Sequence, residues 1–303
     1  MVHPRHAVTF AAAWIRPHDR FHPMTATTKG WRQPRLLLLL LMLPAGIVLT
    51  AFLLVPLVRL AIAGAQGPDG AAAYLSILTN PRHLSVTIAT LALAITVTAT
   101  ALAISTVAGL FLARHSFTGR SVLIAMLTFP LAFPGVVVGF LVIMLGGRQG
   151  LVATISKALT GDKLVFAYSA AGLFIGYLYF SIPRVILTVM AAAETLDPAL
   201  AEAARSLGAR PLRVLRDVVL PALTPGLIAS GAICFATAMG AFGTAFALAT
   251  DIDVLAMTIY TEFTLQANIA GAAALSLVLG LITWVSLFAA RSLGGRASAA
   301  GGG

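Results

Sequence analysis

Charge is what this sequence has least of. Only 10% of its residues are Asp, Glu, Lys or Arg, against about a quarter in soluble domains. Its ten acids are Asp19, Asp69, Asp162, Glu194, Asp197, Glu202, Asp217, Asp251, Asp253 and Glu262, and all fall outside the long apolar runs. An ion-coupled secondary transporter that binds protons or sodium through mid-membrane acids therefore finds none here. That class survives as the alternative only through carbonyl and hydroxyl ligands. Cysteine is also scarce: Cys234 stands alone inside an apolar run, which excludes a disulfide framework and suits packing rather than nucleophilic chemistry. No GxxxxGK[ST] loop occurs, so ATP hydrolysis, where it is needed, belongs to another polypeptide. HExxH, an acid pair within a span and a defensible serine–base pair are missing too, which argues against an intramembrane enzyme. No catalytic, cofactor-binding or metal-ligating set is expected on this chain.

Apolar length is what the sequence does have. Residues are 59% hydrophobic, and they come in runs of the roughly 20 residues that a helix needs to cross about 30 Å of hydrocarbon. Six spans are expected, at about 36–62, 84–113, 120–146, 164–190, 225–249 and 269–291. The fold class that follows is an all-α polytopic membrane protein of six transmembrane helices, with a polar helix-turn-helix between the fourth and fifth. Pro44, Pro56, Pro130, Pro134 and Pro183 fall in or near these spans, where membrane helices tolerate them because neighbours re-satisfy the freed backbone groups.

Cationic residues set the orientation. With the N-terminus in the cytoplasm, the inner segments hold fifteen Lys and Arg and the outer side only Arg59, Arg82, Arg148, Lys157 and Lys163. Both termini are expected inside. The net charge of +10 is thus a topology signal and not a nucleic-acid footprint. Residues 1–35 read as a basic, disordered cytoplasmic tail that carries His3, His6, His18 and His22 without metal-ligand spacing. Met24 offers an alternative start. The apolar run from Leu36 is too long for the h-region of a signal peptide. Residues 36–293 make the transmembrane domain and 294–303 a flexible tail.

The polar interruption at 194–221 carries its own punctuation. Asp197-Pro198 is a helix start, Asp accepting orphan amide bonds and Pro preset for the first helical position. Leu200, Ala203, Ala204 and Leu207 give that helix an apolar side, and Glu202 and Arg205 a polar one. Gly208 ends it in the left-handed conformation glycine enters freely. Pro211 begins a second helix with Arg213, Arg216 and Asp217 on polar positions, and Leu220-Pro221 stops it. An amphipathic turn resting on anionic lipid is one reading. A docking element is the other, because Glu202 among small alanines suits close approach to a protein groove.

Glu202-Ala203-Ala204, then Gly208, Val218 and Leu220-Pro221 at their spacings, resemble the EAA loop of ABC-importer permeases, with Val218 where that pattern usually has Ile. Ile182-Pro183-Arg184, Leu196-Asp197-Pro198, Pro225-Gly226-Leu227 and Phe129-Pro130-Leu131-Ala132-Phe133-Pro134-Gly135 are similar to the same family. The likeness covers about 80–300 and is closest to the polyamine, ferric-iron, phosphonate and sulfate branch. The resemblance implies a type I importer membrane subunit in the bacterial inner membrane. Its partners would be two cytoplasmic ABC ATPase subunits carrying ATP and Mg, a second permease (itself or a paralogue), an extracytoplasmic solute-binding protein and membrane lipid. Glu202, Ala203, Ala204, Arg205, Gly208, Arg213, Leu220 and Pro221 would then form the ATPase-coupling site. For the solute path the candidates are Tyr177, Ser181, Gly240 and Phe242. The fourth-span tyrosines also suit an interfacial belt and helix packing. Many relatives carry an acid just before the Phe-Gly pair of the fifth span; here Ala241 stands there, and a cation finds no fixed negative charge in this half of the path. Asp251, Asp253 and Glu262 are expected in an external loop, either solvated or facing the binding protein.

Overall fold

The computed structural model describes residues 35–68, 70–248 and 253–300; of the expected N-terminal tail, all but Arg35 lies outside them, as does Asp251. The chain divides into two units, residues 1–50 and 51–303. Helix α1, Arg35–Leu49, belongs to the first. The second opens with the π segment Thr50–Leu54 at the divide, followed by α2, Val55–Ala65. A 3-10 turn at Gly70–Leu75 and the short α3, Ser76–Thr79, lead into α4, Pro81–Arg114. Then follow α5 (Arg120–Thr128), α6 (Gly135–Gly146), α7 (Leu151–Thr160) and α8 (Ala170–Glu194). The polar interruption supplies α9 (Pro198–Ser206) and α10 (Pro211–Val214). The remainder is α11 (Leu220–Met239), α12 (Phe242–Leu248), α13 (Leu255–Thr264) and α14 (Ile269–Ala300).

Among the described residues six stretches are long and apolar enough to cross a membrane: Met42–Ala65, Pro81–Arg114, Gly135–Thr160, Ala170–Glu194, Pro211–Met239 and Ile269–Ser292. Helices suit that solvent because every backbone group is satisfied within the segment. Four boundaries differ from the sequence expectation, each for a local reason. The expected third span at 120–146 is broken: α5 passes into a 3-10 turn at Phe129–Ala132 and restarts at Gly135. Pro130 and Pro134 remove amide donors within five residues, more than one helix absorbs. The fifth span, expected at 225–249, is interrupted after Met239, so that Phe242–Leu248 forms a separate helix. Leu220-Pro221 does not stop the helix before it. A π segment at Leu215–Val219 carries α10 straight into α11, and the widened turn makes room for the Pro221 ring that would strike the preceding carbonyls of a regular helix. Finally α14 runs on to Ala300, past the expected tail boundary at 294, through the helix-favouring Arg296-Ala297-Ser298-Ala299-Ala300.

The packing centre is α4 against α8, with α11 laid across both and α14 against α11 and α2. Ala94, Val97 and Ala101 of α4, Leu173, Val185 and Val189 of α8, and Leu223, Cys234 and Met239 of α11 fill the main core. Cys234 is therefore a packing residue, 1% exposed. Ser105 Oγ ties α4 to α8 by donating to the Ile182 carbonyl at 3.1 Å. Outer faces stay apolar: Ile95, Val107, Trp284 and Phe288 are exposed on helices of spanning length, where lipid rather than water satisfies them.

Helix α13 straps one end of the bundle, the end of α4 remote from the polar interruption. Asp253 pairs with the exposed Arg82 at 3.5 Å, and the Leu255 amide donates to Thr90 Oγ1 at 2.9 Å. Glu262 is 8% exposed, lies 3.9 Å from His83 Nε2 and accepts from Asn268 Nδ2 at 2.9 Å. The carboxylate expected in an external loop is thus an internal brace of the strap, and only Asp253 of the described pair reaches solvent.

Candidate functional site

The segment between α8 and α11 is built as its residues dictate. Asp197 caps α9, its carboxylate accepting from the Ala199 amide at 2.9 Å, with Pro198 in the first turn. At the other end Gly208 has φ +83. The Gly208 amide donates to the Arg205 carbonyl at 2.9 Å and the Ala209 amide to the Ala204 carbonyl at 3.1 Å. That pair of bonds is the Schellman closure, which satisfies the last carbonyls of a helix. Arg210 then leads into Pro211 at the start of α10. The turn is fixed from both sides by backbone bonds, so the nine residues of α9 are presented as a rigid unit.

What this unit shows to its surroundings is mixed. Glu202, Ala203, Arg205 and Arg213 are exposed, whereas Ala204 and Leu220 are half-buried and Pro221 is exposed. The ion pairs formed among the described residues are Arg82–Asp253, His83–Glu262 and Arg120–Glu194. The Glu202 carboxylate is in none of them, so the intrahelical pairing with Arg205 that helical spacing permits is not made. Sequence reasoning missed two neighbours. Leu207 is 89% exposed and Leu212 76% exposed, one on each side of the Gly208 turn; the apolar residues near Gly208 were the available signal. Beneath α9 lies a groove of about 450 Å³, lined by Arg114, Glu194, Asp197, Glu202, Arg205 and Val218 among others.

The candidate path residues do not converge on one surface. Tyr177 is buried and its hydroxyl donates to the Ala241 carbonyl at 2.6 Å, bracing the interruption between α11 and α12. Ser181 is buried with an unpartnered Oγ. Gly240 is exposed at that interruption. Phe242 packs with tilted rings against Phe246 and Tyr260, ring centroids 5.3 and 5.2 Å away. The break at 129–134 meets the break at 240–241 across a short distance, since Thr244 Oγ1 donates to the Gly135 carbonyl at 3.0 Å. Between them and α8 lies a cavity of about 240 Å³, lined by Pro130, Phe133, Gly135, Phe180, Arg184 and Thr237 among others. Arg184 counts among the fifteen inner-side cations of the sequence although it falls within the expected fourth span. It sits inside α8, and Nη1 donates to Thr237 Oγ1 at 2.9 Å.

Residues 105–298 match the family described as binding-protein-dependent transport system inner membrane components. The chain belongs to that family. This permease is 31% identical over 235 residues to the sulfate transport system permease protein CysT of Salmonella typhimurium, covering 74% of this chain and 84% of that one. It is 31% identical over 223 residues to the molybdenum transport system permease protein ModB of Escherichia coli, covering 70% and 93%. To a putative 2-aminoethylphosphonate transport system permease protein, PhnU of Salmonella typhimurium, it is 29% identical over 266 residues, covering 84% and 93%. Its fold matches a chain of a bacterial alginate ABC transporter crystallised with an alginate pentasaccharide-bound periplasmic protein, with a TM-score of 0.74 at 19% identity over 88% of the permease and 97% of that chain. The permease is a multi-pass inner-membrane subunit of an ABC importer, which removes the ion-coupled alternative.

Proposed function

We propose that this permease forms half of a solute path with a second permease, itself or a paralogue, and that α9 seats in a cleft of a cytoplasmic ATPase subunit. Two such ATPase subunits hold and hydrolyse ATP with Mg, and an extracytoplasmic solute-binding protein delivers the cargo. Both termini and the α9–α10 turn lie on the cytoplasmic side in this reading, in line with the cationic bias of the sequence. The observation that carries it is the pre-formed, Schellman-closed helix that presents Glu202, in no ion pair among the described residues, beside exposed Leu207 and Leu212. Exposed leucines suit a bilayer surface as well as an apolar pocket of a protein groove; the Glu202 carboxylate beside them favours a groove that offers a basic group, because anionic headgroups repel it. Closure of the ATPase pair then moves a rigid helix, and the attached spans shift between inward-open and outward-open populations.

Co-purification of the ATPase with the permease from membranes tests this. Leu207→Asp and Glu202→Ala are each expected to weaken association by about 10- to 100-fold, the scale of one buried anchor or one charged hydrogen bond, while the permease still inserts. Undiminished association in both variants rejects α9 as the docking element. As for cargo, sulfate and 2-aminoethylphosphonate, for which two relatives are named, both present oxyanion groups, and Ala241 leaves no acid for a cation; an anionic solute is the reading these favour.

A further inference from the structure

Arg184 is the least expected residue of the fold. In α8 it stands about 15 Å along the axis from the Glu194 end and about 21 Å from the Ala170 end, at 1.5 Å per residue. That is near the middle of a helix of spanning length, where an arginine is costly and is found facing a partner or a polar cavity. No carboxylate pairs with it among the described residues. Its one side-chain hydrogen-bond partner among the described residues is Thr237, whose own hydroxyl proton goes to the Ile233 carbonyl at 2.7 Å. A guanidinium has five N–H donors, so four are unused among the described residues. The side chain lines the cavity of about 240 Å³ between the two chain breaks, on the order of eight water volumes at roughly 30 Å³ each. Gly135, the first residue of the 12-residue α6, lines the same cavity. The orphan amides and positive dipole end of that helix add to the field of the guanidinium.

We propose that this cavity is an oxyanion subsite of the solute path, with the Arg184 guanidinium as the charge that holds a small sulfate- or phosphonate-type group. The assignment rests on the importer reading and names what its cargo meets inside the membrane. Arg184 gives bidentate donors matched to an oxyanion edge, Thr237 holds the fork in place, and the α6 end supplies a second positive wall. The pocket's size suits a small anion. Cations are rejected by the same charge, which no acid pairs with among the described residues.

The test uses the permease assembled with its ATPase and binding protein in proteoliposomes, with sulfate, molybdate and 2-aminoethylphosphonate as radiolabelled probes. Equilibrium binding of the same probes to the purified permease runs in parallel. Arg184→Gln keeps a donor for Thr237 and loses the charge, and is expected to lower uptake and binding about 10- to 100-fold. Arg184→Lys keeps the charge and is expected to restore part of both. Lys157→Gln, which removes an exposed charge on α7, leaves both at the wild-type level, and thermal unfolding of each variant checks that it is folded. Arg184→Gln that binds and transports like wild type overturns the subsite. So does a wild type with ATP-driven uptake of a neutral or cationic solute only, which would leave the importer reading standing. A wild type that binds an oxyanion through Arg184 yet shows no ATP-driven uptake supports the subsite and rejects the importer reading instead. A wild type that neither binds nor transports any of the three overturns the subsite outright.

Discussion

Gly208 shows how one residue can decide a contact it does not make. With φ at +83 and two Schellman bonds around it, it turns the chain between α9 and α10, and nothing lies near the place where a Cβ would stand. Gly208→Val is therefore a conformational change without a clash. It is expected to cost about 1–2 kcal/mol in the turn and to misdirect α9, lowering ATPase co-purification while membrane insertion is unchanged. Full co-purification would show that the turn tolerates other geometries. The turn itself was legible from sequence because its signals are local: a cap, a proline, a glycine and their spacing act within a few residues. Leu207 and Leu212 were not legible as exposed residues, since apolarity alone is read as burial. The carboxylate of Glu262 and the guanidinium of Arg184 were misplaced for a related reason. A charge next to an apolar run was assigned to solvent, and the partners that admit each one, His83 and Asn268 or Thr237, come from distant parts of the chain.

At the scale of elements, the six apolar stretches were legible because length and hydropathy are summed over many residues, whereas their interruptions depend on what packs beside them. The breaks at 129–134 and 240–241 illustrate this. Proline marked the first, but the second has no proline and is held by the Tyr177 hydroxyl on the Ala241 carbonyl. Close approach of α6 and α12 completes the arrangement. A Cβ on Gly139 would run into the Ala247 methyl and lie 3.2 Å from the Thr244 carbonyl oxygen. Gly139→Leu is accordingly expected to separate these two helices and to destabilise the folded permease by about 1–3 kcal/mol, the usual range for overpacking. Thermal unfolding in detergent would read this as a lowered midpoint, and an unchanged midpoint would mean the pair has room that the backbone approach does not suggest.

For the whole molecule, the proposed docking of one α9 per chain sets the expected assembly. If each ATPase subunit receives one α9, an active complex contains two permease chains for two ATPase chains, whether the second permease is a copy or a paralogue. Native mass measurement of the purified, active complex is expected to give that stoichiometry. A functional complex with one permease chain would require a second docking element, and none other of this form occurs among the described residues.

The π segment at Leu215–Val219 has a mechanical meaning beyond its accommodation of Pro221. Because it keeps the helix unbroken, residues 211–239 form one rod of 29 residues, about 43 Å long at 1.5 Å per residue. One end of that rod is welded to the Gly208 turn, and Thr237 rides near the other. A tilt imposed at the near end therefore becomes a displacement of the hydroxyl that steadies Arg184. If α9 docks and Arg184 grips as proposed, the stroke and the grip share a single lever and release of the cargo needs no relay through packed side chains: the 2.9 Å contact would open as the far end swings.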